Sequence, residues 1–340
     1  MNKQLLNELC CIDSISGRED AVRQYIINRL NSYETPMDVC VDPMGNLLVH
    51  LKGKEPAAHT VMFDAHMDEV GFIITHICDN GFLRFATVGG IDPQVLYGHR
   101  VRIGDHIGII CGKAGHQCSG DEMKKVPAVD KMVIDIGADS AENAQKLVKI
   151  GDSGTFDVGL NWMSDDVFYG KAVDDRMGCM ALLELANEQP SRDLWLSFSV
   201  QEEVGLRGAG AAAEAIRPDY AVAVEATTAG DTAGSREETA ACRMGCGAVI
   251  SFADRATMYD NELYNRIRAL ADTAGIPTQT KNRIVGGNNA GAIQTRACGT
   301  RMAAVSLPCR YIHSQACMGK TGDVDAVVDL IKLLAEELTK

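Results

Sequence analysis

No run of 18 or more apolar residues occurs anywhere in the chain, so no segment is predicted to cross a bilayer as a helix. The opening residues Met1 to Leu6 meet Asn7, Glu8 and Asp13 before an apolar run can build, so the core of a secretory signal is missing. Paired Cys-x-x-Cys motifs are missing as well. The 12 cysteines are scattered, and Cys242 and Cys246 have no second pair nearby, which excludes a structural zinc knuckle. Thiols without a disulfide framework suit a reducing cytoplasm, the predicted location. Positive charge is in deficit, with 33 Lys and Arg against 46 Asp and Glu and a net charge of -13. Such a surface repels phosphate backbones and anionic lipid, so neither nucleic acid nor membrane is an expected partner.

What is present is ordinary globular material: 340 residues, 46% hydrophobic and 23% charged, enough for two domains and a large core. Ser16-Gly17-Arg18-Glu19 has the form of a capping box. Val22, Tyr25, Ile26 and Leu30 follow at helical spacing, so an amphipathic helix is predicted to begin the fold. Short apolar runs at 37–41, 46–51 and 60–65 read as strands, the first two joined by the turn signal Asp42-Pro43-Met44-Gly45-Asn46. From Gly71 to Ile136 the texture is short β-like runs punctuated by turns such as Val88-Gly89-Gly90-Ile91-Asp92-Pro93. After about residue 165 strands and helices alternate: strand 167–173, helix 177–187, strand 194–200, helix 209–216, strand 220–224. A helix at 261–274, a strand at 300–307 and a helix at 324–338 close the chain. That is the βα pattern of a mainly parallel sheet flanked by helices. The chain is read as an α/β domain made of residues 1–68 and 165–340, interrupted by an inserted β-rich domain at 69–164.

Five places put a carboxylate or imidazole at the end of an apolar strand, where open α/β sheets place their ligands. They are His66-Met67-Asp68, Asp174-Asp175-Arg176, Glu202-Glu203, Glu225 and His313. Each has a plain structural reading: a polar pair at a strand end, an acidic cap complementing a helix dipole, a buried histidine satisfied by a neighbour. Together they are harder to dismiss. Two imidazoles and several carboxylates at one sheet edge would bury too much negative charge unless a cation neutralised it. A mixed His and carboxylate set suits Zn²⁺, Co²⁺ or Mn²⁺. A bridging carboxylate can hold two such ions about 3.5 to 4 Å apart, a pair able to hold a hydroxide and polarise a carbonyl. Amide hydrolysis is the natural reaction.

Four ordered motifs now carry a resemblance: Ala65-His66-Met67-Asp68-Glu69-Val70-Gly71, Gly170-Lys171-Ala172-Val173-Asp174-Asp175-Arg176, Gln201-Glu202-Glu203-Val204-Gly205 and Arg310-Tyr311-Ile312-His313-Ser314. The chain resembles, over almost its whole length, the dinuclear-metal glutamyl and deblocking aminopeptidases that assemble into tetrahedral particles. The resemblance implies a zinc-peptidase-like catalytic domain holding two divalent metal ions per subunit. His66, Asp174 and Glu225 would hold one ion, and Asp174, Glu203 and His313 the other. Asp68 would orient His66 through its second ring nitrogen, and Glu202 would act as general base. The insert would be a dimerisation domain, twelve subunits would enclose a chamber, and peptides would be the substrates. Two places depart from the pattern: Glu225 where many relatives have Asp, and Asn288-Asn289 where relatives often have Thr and Asp. The second change removes a negative charge near the expected substrate pocket.

Three rival readings stand beside this one. A glycosidase using Glu202 and Glu203 is disfavoured because adjacent side chains on an extended segment point to opposite sides and cannot flank one bond. A deacylase of N-acyl amino acids would use the same ligands. A catalytically inactive peptide-binding relative is opposed by the competent residue at every motif position, Glu202 included.

Overall fold

The computed structural model describes residues 1–340, the side chain of Glu237 excepted. The chain opens with helices α1 (Lys3–Cys11) and α2 (Asp20–Leu30), followed by strands β1 (Met37–Val41), β2 (Leu47–Leu51) and β3 (Val61–His66). Next come β4 (Gly71–Ile77), β5 (Leu83–Val88), β6 (Arg100–Ile103), β7 (His106–Cys111), β8 (Val133–Asp135), the short helix α3 (Ala141–Gln145) and β9 (Ser153–Phe156). The chain then runs through β10 (Asn161–Trp162), β11 (Val167–Gly170), α4 (Val173–Ala186), β12 (Leu194–Ser199), α5 (Arg207–Ile216) and β13 (Tyr220–Thr228). It ends with β14 (Ala248–Ile250), α6 (Asn261–Ala274), β15 (Thr278–Thr280), α7 (Ala290–Ile293), β16 (Arg301–Cys309), β17 (Cys317–Lys320) and α8 (Thr321–Leu338).

An eight-stranded sheet in the order β1-β2-β12-β3-β13-β16-β14-β15 forms the centre. Its middle, β12-β3-β13-β16, is parallel, and antiparallel pairs join it to both flanks. Every residue of β3 is buried, as expected for a central parallel strand covered on both faces. Helix α4 is buried nearly all round because it packs between the sheet and α1, α2 and α8. Helix α6 shows how local sequence sets an element. Asp260 accepts the Leu263 N–H at 2.7 Å to cap its start, Leu263, Ile267 and Ala271 form its buried stripe, and Gly275 ends it at φ +70°.

Strands β4 to β9 close into a barrel in the order β4-β5-β8-β7-β6-β9. Its core is separate from that of the sheet and centres on Phe72, with Phe85 and Phe156 edge-on at 5.5 and 5.3 Å.

The structure departs from the sequence reading at three elements. Helix α1 precedes the one predicted to begin the fold, and Ser16 caps nothing; its hydroxyl donates to Asp68 at 2.6 Å. The strand at 167–173 ends at Gly170 and belongs to a small sheet, β10-β11-β17, so α4 rather than the central sheet presents Asp174 and Asp175. Strand β13 runs four residues further than expected, which places Glu225 inside it.

A buried ionic junction joins these parts. The fully buried Arg176 guanidinium donates to the carbonyls of Met67 (2.9 Å), Leu9 (2.5 Å), Ile12 (3.0 Å) and Ser14 (3.3 Å). Beside it Glu69 pairs with Lys171 at 2.7 Å, accepts the Ser14 N–H at 3.1 Å and takes the Thr155 hydroxyl of β9 at 2.9 Å. One junction therefore ties α1, the end of β3, the barrel and the start of α4. Replacing Arg176 with Met is expected to lower unfolding stability by about 3–5 kcal/mol, because four buried carbonyls lose their donor and Glu69, which keeps Lys171, loses the guanidinium 3.8 Å away. Chemical denaturation checks this; a loss within about 1 kcal/mol, as for a surface pair, would show the junction to be dispensable.

Candidate metal centre

His66 is the last residue of β3 and is buried. Its Nε2 lies 3.3 Å from Asp174 Oδ1 and 3.7 Å from Glu225 Oε2. The other oxygen of Asp174, Oδ2, lies 3.2 Å from His313 Nε2, which is 3.4 Å from Glu203 Oε2. Asp174 thus stands between two imidazoles, one oxygen turned to each. Within each of the sets His66–Asp174–Glu225, Asp174–Glu203–His313 and His66–Glu202–Glu203, one potential ligand atom per residue falls within 4.8 Å of the others.

Neighbouring groups fix these side chains. Asp174 sits at the start of α4 with extended angles (φ -85°, ψ 107°), preceded by the left-handed Ala172, and the Asp174–Asp175 peptide is cis. Asp175 takes the plain role: its carboxylate accepts the Gly178 N–H at 3.0 Å inside the first turn. A Cβ on Gly178 would fall 2.3 Å from Asp175 Oδ2, so only glycine leaves room for that carboxylate. His66 Nδ1 meets the main-chain oxygen of Asp68 at 3.0 Å, while the Asp68 carboxylate is 3.5 Å away. That carboxylate accepts the N–H groups of Glu202 (3.0 Å) and Glu203 (3.1 Å) as well as the Ser16 hydroxyl. Asp68 therefore holds the glutamate turn and the histidine together.

Glu202 and Glu203 are not on an extended segment. Gln201 is left-handed at φ +57°, and Glu202 O accepts from Gly205 and Leu206, so 202–206 is a turn with both carboxylates on the same group of residues. The alternation argument used against a glycosidase therefore fails. The two still differ: Glu202 lines an open cavity of about 390 Å³ with His66, Asp174, Glu225 and His313, whereas Glu203 faces a small recess beside Glu69 and Cys317. Asn288 also lines the cavity, while Asn289 is fully buried and donates to Asp64 at 2.8 Å and to the Ser199 hydroxyl at 2.9 Å.

One partner had no signal in the sequence. His313 Nδ1 lies 2.8 Å from the carbonyl of Gly90, in the turn that leaves β5 of the barrel. A backbone oxygen leaves no trace in residue type, so only the fold reveals it.

The electrostatics show a shortage of cations. Burial pushes Glu202 up to about 7 and drives Glu203 and Glu225 well above the usual carboxylate range. Burial would lower both imidazoles, yet the hydrogen bonds to Asp174 and the neighbouring carboxylates outweigh it, raising His66 well above its ordinary value and His313 to about 10. Burial would raise Asp174 too, but His313 and His66 hold it low. Glu203 Oε1 and Glu225 Oε1 are buried without a hydrogen-bond partner. Unpartnered carboxylate oxygens beside imidazole nitrogens are a donor set that fits divalent ions of the Zn²⁺, Co²⁺ or Mn²⁺ kind.

A parallel α/β sheet with His and carboxylate side chains gathered at its edge, beside an open cavity, belongs to the class of metal-dependent hydrolases. Residues 45–330 match the M42 glutamyl aminopeptidase family, and the chain belongs to it. It is, by that membership, a metal-dependent aminopeptidase. A lysyl aminopeptidase of Pyrococcus furiosus is 29% identical over 98% of this chain and 97% of its own. The crystal structure of a TET aminopeptidase from a marine sediment archaeon of the Thaumarchaeota superimposes with a TM-score of 0.93 at 32% identity, covering 98% of this chain and 96% of that one. A TET peptidase of Pyrococcus horikoshii, which can assemble into a tetrahedron or a large octahedral shell, gives 0.85 at 33% identity over 98% and 99%.

Divalent metal should stabilise the fold by occupying the unpartnered oxygens. Zn²⁺ or Co²⁺ at about 100 times its dissociation constant is expected to add about 2.7 kcal/mol to unfolding stability, and chelation to remove it. Thermal melts with and without metal check this, and identical curves would contradict it.

Proposed function

We propose that the chain removes N-terminal residues from peptides at a dinuclear metal centre, with His66, Asp174 and Glu225 holding one ion and Asp174, Glu203 and His313 the other. The observation that supports this best is the division of the Asp174 oxygens between two imidazoles, 3.3 and 3.2 Å away. Zn²⁺ or Co²⁺ is the preferred pair, Mn²⁺ also suiting the donors. When bound, such ions supply a water of lowered pKa and a polarised scissile carbonyl.

The protein's own groups do the rest. Glu202, on the cavity side of the cluster, takes a proton from the attacking water and passes it to the leaving amine. Asp68 keeps Glu202 in place through the Glu202 N–H and holds His66 through its main-chain oxygen. Gly90 O orients His313 from the other side. The carboxylates around the cavity suit the positive amine of a peptide better than the neutral amide of an N-acyl amino acid, which favours a peptidase over a deacylase.

We also read residues 69–164, which contain the barrel, as a dimerisation domain set into a catalytic domain of residues 1–68 and 165–340, and the full particle as a dodecamer working in the cytoplasm. Strand β7 supports the first point by exposing Ile107 and Ile109 on the barrel surface.

Two measurements test this reading. Glu202→Gln should keep both ions and lose about 10² to 10⁴-fold in turnover. Glu203→Gln should lose metal affinity and recover activity partly at high metal concentration. Stoichiometry and turnover on the same samples decide it, and the roles are wrong if Glu202→Gln sheds metal while Glu203→Gln keeps both metal and activity. For the assembly, light scattering should give twelve times the 36.6 kDa chain mass, and a dimer as the largest species would exclude the particle.

A further inference from the structure

Ser16-Gly17-Arg18-Glu19 has the pattern of a capping box, yet Glu19 makes no capping bond to α2. Both ends of the segment are buried all the same, Ser16 at 8% and Glu19 at 5% exposure. A buried carboxylate needs partners, and those of Glu19 lie on the main chain. Its Oε1 accepts the Gly17 N–H at 2.7 Å, a local bond, and the Gln201 N–H at 3.2 Å, a contact across 182 residues of sequence.

Gln201 immediately precedes Glu202. The four consecutive N–H groups that leave β12 are all received by side-chain oxygens. Asn46 Oδ1 takes that of Val200 at 3.0 Å, Glu19 Oε1 that of Gln201, and Asp68 those of Glu202 at 3.0 Å and Glu203 at 3.1 Å. Ser16 joins this support by donating to Asp68 Oδ2 at 2.6 Å. Segment 16–19 therefore reaches the glutamate turn twice, directly through Glu19 and indirectly through Asp68.

The bond to Gln201 matters because of the backbone angle there. A residue other than glycine stays at φ +57° only where its surroundings over-determine it. Two bonds do so here: the Gln201 N–H to Glu19, and the Arg207 N–H to the Gln201 carbonyl at 3.2 Å. Without the first, Gln201 is free to relax to an ordinary angle and turn Glu202 away from its place on the cavity wall. Glu203 lies one residue further on, with its own N–H still on Asp68, so its place among the metal ligands depends less on Glu19.

We propose that Glu19 is a positioning residue for the general base, fixing through the Gln201 N–H the turn from which Glu202 reaches the attacking water. This rests on the reading of Glu202 as the base.

The test uses the full-length, metal-loaded protein and the aminoacyl p-nitroanilide that the parent hydrolyses fastest. Glu19→Met keeps the length of the side chain without an acceptor oxygen; it should lower kcat by about 10- to 100-fold and leave KM within about twofold. Elemental analysis should find the parental metal content. Glu19→Gln keeps an acceptor oxygen and should stay within about fivefold of the parent. Placed in the Glu202→Gln background, Glu19→Met should cost less than about threefold more, because the carboxylate it positions is already gone. Hydrogen exchange gives the answer without turnover: the 201–206 stretch should exchange about tenfold faster or more in Glu19→Met and at the parental rate in Glu19→Gln. Should Glu19→Met not fold, Glu19→Ala takes its place in each comparison. Parental kcat in Glu19→Met, an equal loss in Glu19→Gln, loss of metal, or a full further loss in the Glu202→Gln background each overturns the proposal, as does unchanged exchange at 201–206. Parental turnover in Glu202→Gln overturns the base assignment and this proposal with it, whereas an inactive Glu202→Gln beside an active Glu19→Met overturns this proposal alone.

Discussion

Crowded negative charge is the constraint on which this structure turns. Asp174, Glu202, Glu203 and Glu225 converge on two imidazoles, and Glu203 and Glu225 each keep a buried oxygen with no partner. Hydrophobic packing alone would not hold such a group of carboxylates together, since burying each charge costs more than packing returns. The protein holds them by fixing the main chain that carries them. Asp68 grips the N–H groups of Glu202 and Glu203, β13 carries Glu225 inside a parallel ladder, and α4 enters with Asp174 already placed. The main chain that carries each carboxylate is set by the fold itself, which is the preorganisation that metal-assisted hydrolysis needs.

A second buried charge group does the opposite work. Around Arg176, Glu69 and Lys171 positive and negative groups are matched, and the guanidinium also satisfies four carbonyls that would otherwise be orphaned. The two groups lie on adjacent residues of the same segments: Asp68 beside Glu69, Asp174 two residues before Arg176. Satisfied polarity on one side of each segment anchors the frustrated polarity on the other. Stability and chemistry are separated by one or two residues along the chain.

Much of this was legible in the sequence because it rests on side chains with distinctive chemistry. Strand-end position and residue type mark the groups that contain His66, Asp174, Glu202 and Glu203, Glu225 and His313, the resemblance picks His66, Asp174, Glu203, Glu225 and His313 among them, and the fold brings the ligand atoms of these five together. What the sequence hid was of two kinds. The Glu202–Glu203 stretch looked extended because the turn depends on Gln201 at positive φ and on Asp68 far away in sequence. Gly90 read only as part of a turn, since a backbone carbonyl acquires meaning only from what packs beside it. Helix α1 was missed for a related reason: Leu5, Leu6 and Leu9 form its buried face, but its cap at Asn2 lies at the very start, where no preceding pattern marks a boundary.

The carbonyl of Gly90 has a consequence for how such a protein can change over time. It ties a barrel turn to His313 through an atom that every residue type possesses, so the contact is blind to side-chain identity. Mutation can rewrite the outer face of the barrel, and with it the surfaces that meet other molecules, without altering the atom that steadies the imidazole. The path of the turn is what must be kept, and Gly89 at φ +82°, packed against Val70 and Glu203, is the residue that keeps it. The barrel exterior is thereby free to diverge while this link to the chemistry stays fixed.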